Sequence, residues 1–218
     1  MPKISLIEPQ KKNTSRFNIF LDGKFAFGIS DQSLLENNLK VGKILTEDEI
    51  SKILVREQLS KLTEIATNFL SFRQRSEKEV RDHLIKKIAV RENVKFNQAS
   101  ESPLIEKIIS KLKKYSYIND LEFAKWYVES RLRSRPRGSR LLKLELRKKG
   151  ISDSIIENLL SKSDKETEYA KKALQKKIKS WQNLSNLDLK KKIYQYLISK
   201  GFDFETIKEV FAIFSNKR

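Results

Sequence analysis

The sequence predicts a mainly α fold: tandem three-helix repeats forming a curved, elongated body, with a small β-hairpin region at the N-terminus. Three observations predict it. A helical pattern is stated three times. Its clearest copies are Leu142-x₃-Leu146-x₃-Gly150 and Ile193-x₃-Leu197-x₃-Gly201, and a looser copy is Val80-x₃-Leu84-x₃-Ile88. Repetition at this period means stacked helical units rather than one closed pocket. Helix-start signals of the form Ser/Thr/Asn-x-x-Glu recur from Thr46 onward. Ahead of them, Asp22-Gly23 separates two alternating apolar runs.

Residues 1–45 form the β region. Arg16–Leu21 and Lys24–Ile29 flank Asp22-Gly23, a pair suited to the positive φ angles of a two-residue hairpin turn. Ile4, Leu6 and Ile7 supply a third strand. A lone hairpin is marginal in water, so it packs on a short helix spanning Gln32 to Leu39.

Residues 46–115 form the first three-helix unit, 116–161 the second and 162–218 the third. The first helices are about 49–72, 120–133 and 164–180. They start at Thr46-x-x-Glu49, Asn119-x-x-Glu122 and Ser163-x-x-Glu166. The second and third helices are about 77–88 and 103–114, 139–149 and 153–161, and 187–200 and 204–214. Ser76-x-x-Glu79 starts the first of these. Gly150 and Gly201 fall where a helix ends in the left-handed conformation, and Ser152 or Asp153, and Asp203, restart the chain. In the third helices Leu104, Ile105, Ile108, Ile109 and Leu112, then Ile155, Ile156, Leu159 and Leu160, then Ile207, Val210 and Phe211 form the apolar faces. The insertion Arg91–Ser102 has no helical stripe and reads as a flexible loop. A unit of about 50 residues is near the limit of independent stability, so neighbouring units pack in part on each other.

Composition narrows the function. The 218 residues carry a formal net charge of +18, with 34% charged and 39% hydrophobic residues. Such a balance attracts polyanions, nucleic acid first. There is no Cys and a single His, His83. Disulfides, thiolate metal sites and multi-histidine sites are therefore excluded, and a reducing compartment is expected. The opening MPKISLIEP lacks an apolar signal core, and no run approaches the roughly 18 apolar residues of a membrane span. A cytosolic protein that touches no membrane is expected.

The candidate functional residues are arginines. Lysine dominates most of the chain, yet Arg73 and Arg75, and Arg131, Arg133, Arg135, Arg137 and Arg140, gather in the connectors. Arg140, Lys143 and Arg147 continue as one stripe at spacings of three and four, turned away from Leu142 and Leu146. The planar guanidinium suits bidentate phosphate or carboxylate recognition. The bland alternative is a solvated cluster favoured near helix C-termini. Trp126 lies off the stripe of Leu121, Ala124, Tyr127 and Val128. It is either an exposed anchor for a base or partner, or buried against a neighbouring unit. Trp181 falls on the stripe with Ala170, Ala173, Leu174 and Ile178 and reads as core. His83 reads as structural. No phosphate loop, nucleophile elbow or paired catalytic acid is present, so no cofactor and no catalysis are expected.

Three motifs in order carry a family resemblance. Arg73-x-Arg75-Ser76-x-x-Glu79-Val80, Tyr117-Ile118-Asn119-Asp120-x-x-Phe123-Ala124 and Glu145-Leu146-Arg147-Lys148-Lys149-Gly150-Ile151 resemble the RecX family of bacterial recombination regulators. The similarity covers roughly residues 60–215, and the N-terminal hairpin region resembles the extension of the longer members. The departures are the insertion 91–102 and the lysine-rich third unit. The resemblance implies a non-enzymatic regulator of the RecA recombinase in DNA repair, recombination and the SOS response. It implies binding to the RecA filament on single-stranded DNA, with filament growth, ATP hydrolysis and strand exchange restrained. Weak, sequence-indifferent binding to single-stranded DNA and a monomeric chain are expected. Two other classes stay open: a helix-turn-helix-like protein that binds duplex DNA directly, and, more remotely, a metal-dependent nuclease.

Overall fold

The computed structural model describes residues 1–11, 13–161, 165–181 and 183–215. Three antiparallel strands open the chain, β1 (Ile4–Gln10), β2 (Asn13–Leu21) and β3 (Lys24–Ser30), in the order β1-β2-β3. Asp22 and Gly23 take φ of 47° and 80°. Both turn residues thus adopt the handedness that a two-residue hairpin needs. A short helix, α1 (Asp31–Glu36), follows. It stops before the expected Leu39 because Asn38 turns to φ 45°. Ile4, Ile19, Phe27, Ile29, Leu39 and Leu45 form the core beneath the sheet.

The helices then run in three groups. The first group is α2 (Glu47–Ser71), α3 (Glu77–Glu92), α4 (Phe96–Ser100) and α5 (Pro103–Lys114). Next come α6 (Asp120–Ser134), α7 (Ser139–Lys148) and α8 (Asp153–Leu159). The last group is α9 (Glu166–Ile178), a 3-10 turn at Lys179–Trp181, α10 (Asn186–Ser199) and α11 (Phe204–Ser215). The repeated apolar positions Val80, Leu84, Ile88, Leu142, Leu146, Ile193 and Leu197 are all buried. Thr46 and Glu49 form the expected capping box, and Asn119 accepts from the N–H groups of Leu121 and Glu122. The expected start at Ser163 lies outside the described residues.

One expectation needs correcting. Residues 91–102 are not a loop throughout. Helix α3 continues to Glu92, Asn93 ends it in the left-handed conformation, and α4 follows. Ala99 of α4 is 1% exposed and belongs to the first helical core. The small Ala side chain lets this short helix lie close against α3, so one buried contact replaces the missing stripe.

Each group owns its core. Leu62, Ala66, Val80, Leu84, Ile88, Ile105, Ile108 and Leu112 fill the first. Phe123, Tyr127, Val128, Leu142, Leu146 and Ile156 fill the second. Ala170, Leu174, Ile193, Leu197, Phe202 and Ile207 fill the third, with Trp181 half-buried against it. The 25-residue α2 serves two cores. Ile53 belongs to the core under the sheet, and Leu62 and Ala66 belong to the first helical core. Buried Glu57, between them, locks the sheet to this helix. It receives the Arg16 guanidinium at 2.6 Å, the Ser30 N–H at 3.2 Å and the Ser33 hydroxyl at 3.0 Å. Separate cores leave much surface in water. A compact globule of 25.6 kDa exposes about 10,400 Å², whereas this chain exposes 14390 Å². The body is extended.

Candidate nucleic-acid interface

What joins the units is a polar clasp, used twice. At the first junction the N-terminus of α3 faces the C-terminal turn of α7. The Ser76 hydroxyl accepts from the Glu79 N–H at 3.2 Å and donates to the Lys149 carbonyl at 2.7 Å. Asp120, the first residue of α6, accepts from the Glu77 N–H at 2.8 Å. At the second junction the N-terminus of α7 faces the C-terminal turn of α10. The Gly138 N–H donates to the Lys200 carbonyl at 2.9 Å and the Arg140 N–H to the Gly201 carbonyl at 3.2 Å. Glu166, the first residue of α9, accepts from the Ser139 N–H at 2.9 Å. The pattern is similar each time. A helix N-terminus meets a terminal carbonyl of the next unit's helix, through the Ser76 hydroxyl at the first junction and through backbone N–H groups at the second, and one carboxylate takes a first-turn N–H, which suits both dipole ends.

The glycines set how closely the clasp draws. Gly150 and Gly201 have φ of 81° and 85°. A Cβ on Gly150 would sit 2.7 Å from Lys78 Cβ, and one on Gly201 would overlap Leu141. Gly138 has an ordinary φ, but a Cβ there would overlap the Gly201 carbonyl. That glycine is required by close approach alone.

The candidate arginines divide at these junctions. Arg73 donates from both terminal nitrogens to Glu79, at 3.1 and 3.0 Å, and its guanidinium lies 5.8 Å from the Trp126 ring. Trp126 is half-buried and packs against Phe123. It is therefore part of the first junction. Lys149 closes on the same Glu79 at 2.6 Å. Burial alone would raise the Glu79 carboxyl. The hydrogen bonds from Arg73 and Lys149, with their charges, outweigh it and hold the group at about 2. The Arg75 guanidinium lies over the Phe69 ring, 3.9 Å from its centroid, and Phe69 stacks on His83 at 4.0 Å. Burial and the neighbouring Arg73 charge lower the Arg75 pKa. His83 is lowered as well, by burial first and then by Lys87, Arg75 and Lys86.

In the second unit Glu145 is the anchor. It accepts the Tyr127 hydroxyl at 2.9 Å and forms ion pairs with Arg137 and, at 3.4 Å, with Arg131. Arg131 also donates to the Tyr127 oxygen at 2.9 Å. The stripe on α7 is present but partly neutralised by α8. Lys143 meets Glu157 at 2.7 Å, and Arg147 meets Asp153 at 2.7 Å. Arg133, Arg135 and Arg140 are exposed, and their side chains have no partner among the described residues. The end of α6, the connector and the start of α7 therefore carry three free guanidiniums, beside the Arg131 and Arg137 side chains that Glu145 holds. Sequence reasoning missed the carboxylates Glu79 and Glu145. The Ser-x-x-Glu spacing marked Glu79 only as a cap.

Sequence comparison places this arrangement. The model of the RecX N-terminal domain matches residues 2–46, and those of the first, second and third RecX three-helix domains match 64–89, 119–160 and 164–211. "Regulatory protein RecX" of Bacillus pumilus is 41% identical over 209 residues, which are 95% of this chain and 75% of that protein. The chain belongs to the RecX family. The RecX regulatory protein of Bacillus subtilis is 40% identical over 209 residues, with the same coverage. A crystal structure of regulatory protein RecX superposes with a TM-score of 0.69 at 29% identity, over 96% of this chain and 98% of that one. RecX from Lactobacillus salivarius gives 0.59 at 31% identity, over 71% and 94%. The first RecX three-helix match ends at 89, just ahead of the segment containing α4.

Proposed function

We propose that this RecX family member is a non-enzymatic regulator of RecA in the bacterial cytoplasm. It binds the RecA filament on single-stranded DNA as a monomer and restrains filament growth, ATP hydrolysis and strand exchange, with roles in repair, recombination and the SOS response. One observation carries the reading beyond family membership. Two similar clasps order the units in a row, and the connector at the second one, with the helix ends that flank it, presents Arg133, Arg135 and Arg140 without partners among the described residues. Modules fixed in a row engage a repeating filament at several points, and tethering adds their weak contacts. Arg73, Arg75, Arg131, Arg137, Lys143 and Arg147, engaged within the protein, act chiefly by positioning the connectors. Occupancy alone blocks subunit addition, and no chemistry is needed.

The test is RecA ATPase and strand exchange on single-stranded DNA with substoichiometric protein. Both are expected to fall, and no effect on either would overturn the reading. Sequence-specific binding of duplex DNA by the isolated protein would instead favour direct recognition through one helix of a three-helix unit.

A further inference from the structure

The third unit has a surface that the arginine clusters do not explain. Phe204, Lys208 and Phe211 follow at intervals of four and three on α11, and therefore share a face. Leu187, Lys190, Lys191, Tyr194 and Ile198 do the same on α10, beside the core row of Leu189, Ile193 and Leu197. The two faces are continuous. Tyr194 stands edge-on to Phe204 at 5.6 Å and to Phe211 at 6.1 Å. The Lys190 ammonium lies 5.8 Å from the centroids of both Tyr194 and Phe211.

Tyr194 and Phe211 are partly buried against the third core, and the surface opens outward from them. Phe204 is 64% exposed and Leu187 73%, so most of the burial free energy of these side chains is forgone. Its charge is also unanswered. Lys190, Lys191 and Lys208 have no carboxylate partner among the described residues, in contrast to Arg73, Arg137, Lys143, Arg147 and Lys149. The carboxylates nearby are committed or turned away. Asp188 pairs with the Ser185 hydroxyl at 2.7 Å, Asp203 caps the Thr206 N–H, and Glu209 receives Thr167. Glu205 lies about 100° round the helix from Phe204. Exposed aromatic surface, Phe204 above all, interleaved with lysines that lack carboxylate partners suits a ligand with flat apolar faces strung on a negative backbone.

We propose that the outer face of α10 and α11 is a stacking platform for single-stranded nucleic acid, on which Phe204 and Tyr194 receive bases and Lys190 and Lys208 receive phosphates. It deepens the proposed function by naming where the strand, rather than RecA, is held, and it rests on that reading for its biological setting. Stacking on rings is indifferent to sequence, because every base has a π face.

Fluorescence anisotropy of a labelled oligodeoxythymidine, without RecA, tests it on the full chain. Phe204→Ala, at a mostly exposed position, is expected to leave the circular dichroism spectrum intact and to weaken binding about fivefold or more. On an abasic oligonucleotide of the same length the substitution is expected to have no effect. Lys190→Gln with Lys208→Gln should reduce the salt slope by about 1.4, the value for two phosphate contacts on a single strand. Wild-type affinity of Phe204→Ala for oligodeoxythymidine overturns the proposal. The same holds if that variant keeps DNA binding but loses its effect on RecA ATPase, which would make the surface a protein-docking face. A wild-type protein that binds the strand through Phe204 but leaves RecA untouched would sink the RecA reading alone.

Discussion

Glu79 holds together residues that are far apart in the chain. Arg73 reaches it from the preceding connector and Lys149 from seventy residues on. Its carboxyl is held at about 2, against an ordinary 4.5. The stabilisation is therefore fully present above about pH 4.5 and lost as pH falls toward 2. That difference amounts to about 3 kcal/mol. Thermal denaturation from pH 6 down to about pH 2 should show the wild type losing stability steeply below 4.5. Glu79→Gln, already without the charge, should start lower and follow a shallower line over that range. A variant with the wild-type acid profile would place the acid sensitivity elsewhere. The same residue shows where local sequence logic stops. Ser76 caps α3 as its spacing implies, and its hydroxyl also reaches across to Lys149. Glu79 was legible as the return half of a capping box, but Arg73 and Lys149 from other elements hold it instead, because a full positive charge adds Coulomb attraction that a neutral N–H lacks. Nothing local to Ser76-x-x-Glu79 announces those cations.

At the scale of elements the clasp is the informative unit. Gly138→Ala keeps an allowed backbone but drives a Cβ into the Gly201 carbonyl. We expect it to break the second junction while the second and third cores persist. In hydrogen exchange the amides of residue 138 and Arg140, which bond to the Lys200 and Gly201 carbonyls, should lose protection, while those within α10 and α11 keep theirs. Retained protection at both positions would show that the junction tolerates the methyl group. The helices themselves were legible because their signals are local: period, cap and terminal glycine. Gly150 and Gly201 were legible as helix ends for that reason. Gly138 was not, since its requirement comes from a helix end sixty residues downstream. The segment 91–102 misled because α4, five residues long, is too short to show a period.

At the scale of the whole molecule, charge distribution and attachment of the β region matter most. The substitutions Arg133→Ala, Arg135→Ala and Arg140→Ala together remove the free guanidiniums of the connector. If each meets a phosphate, the salt slope on single-stranded DNA should fall by about 2 with thermal stability unchanged, and an unchanged slope would return them to the solvated surface. Glu57→Ala tests the docking of the sheet. It leaves Arg16 without its partner and frees the Ser30 and Ser33 donors, a loss of about 3–5 kcal/mol for a broken buried pair. Limited proteolysis should then release the first 45 residues before the helical units are cut. Simultaneous digestion of all parts would show that the sheet does not depend on this lock.

Much of this protein is written locally. The hairpin at Asp22-Gly23, the three buried rows from Val80, Leu142 and Ile193, the helix starts at Thr46, Ser76 and Asn119, and the family motifs all rest on interactions within a few residues, which sequence order alone specifies. The fate of each arginine is not local. Arg73 and Arg137 are spent on carboxylates, whereas Arg133, Arg135 and Arg140 stay free, although all five look alike in the chain. The lysine–aromatic face of α10 and α11 also emerged only when two helices were set side by side. Charge pairing and surface continuity depend on which elements the fold brings within a few ångströms, and only the tertiary structure decides that.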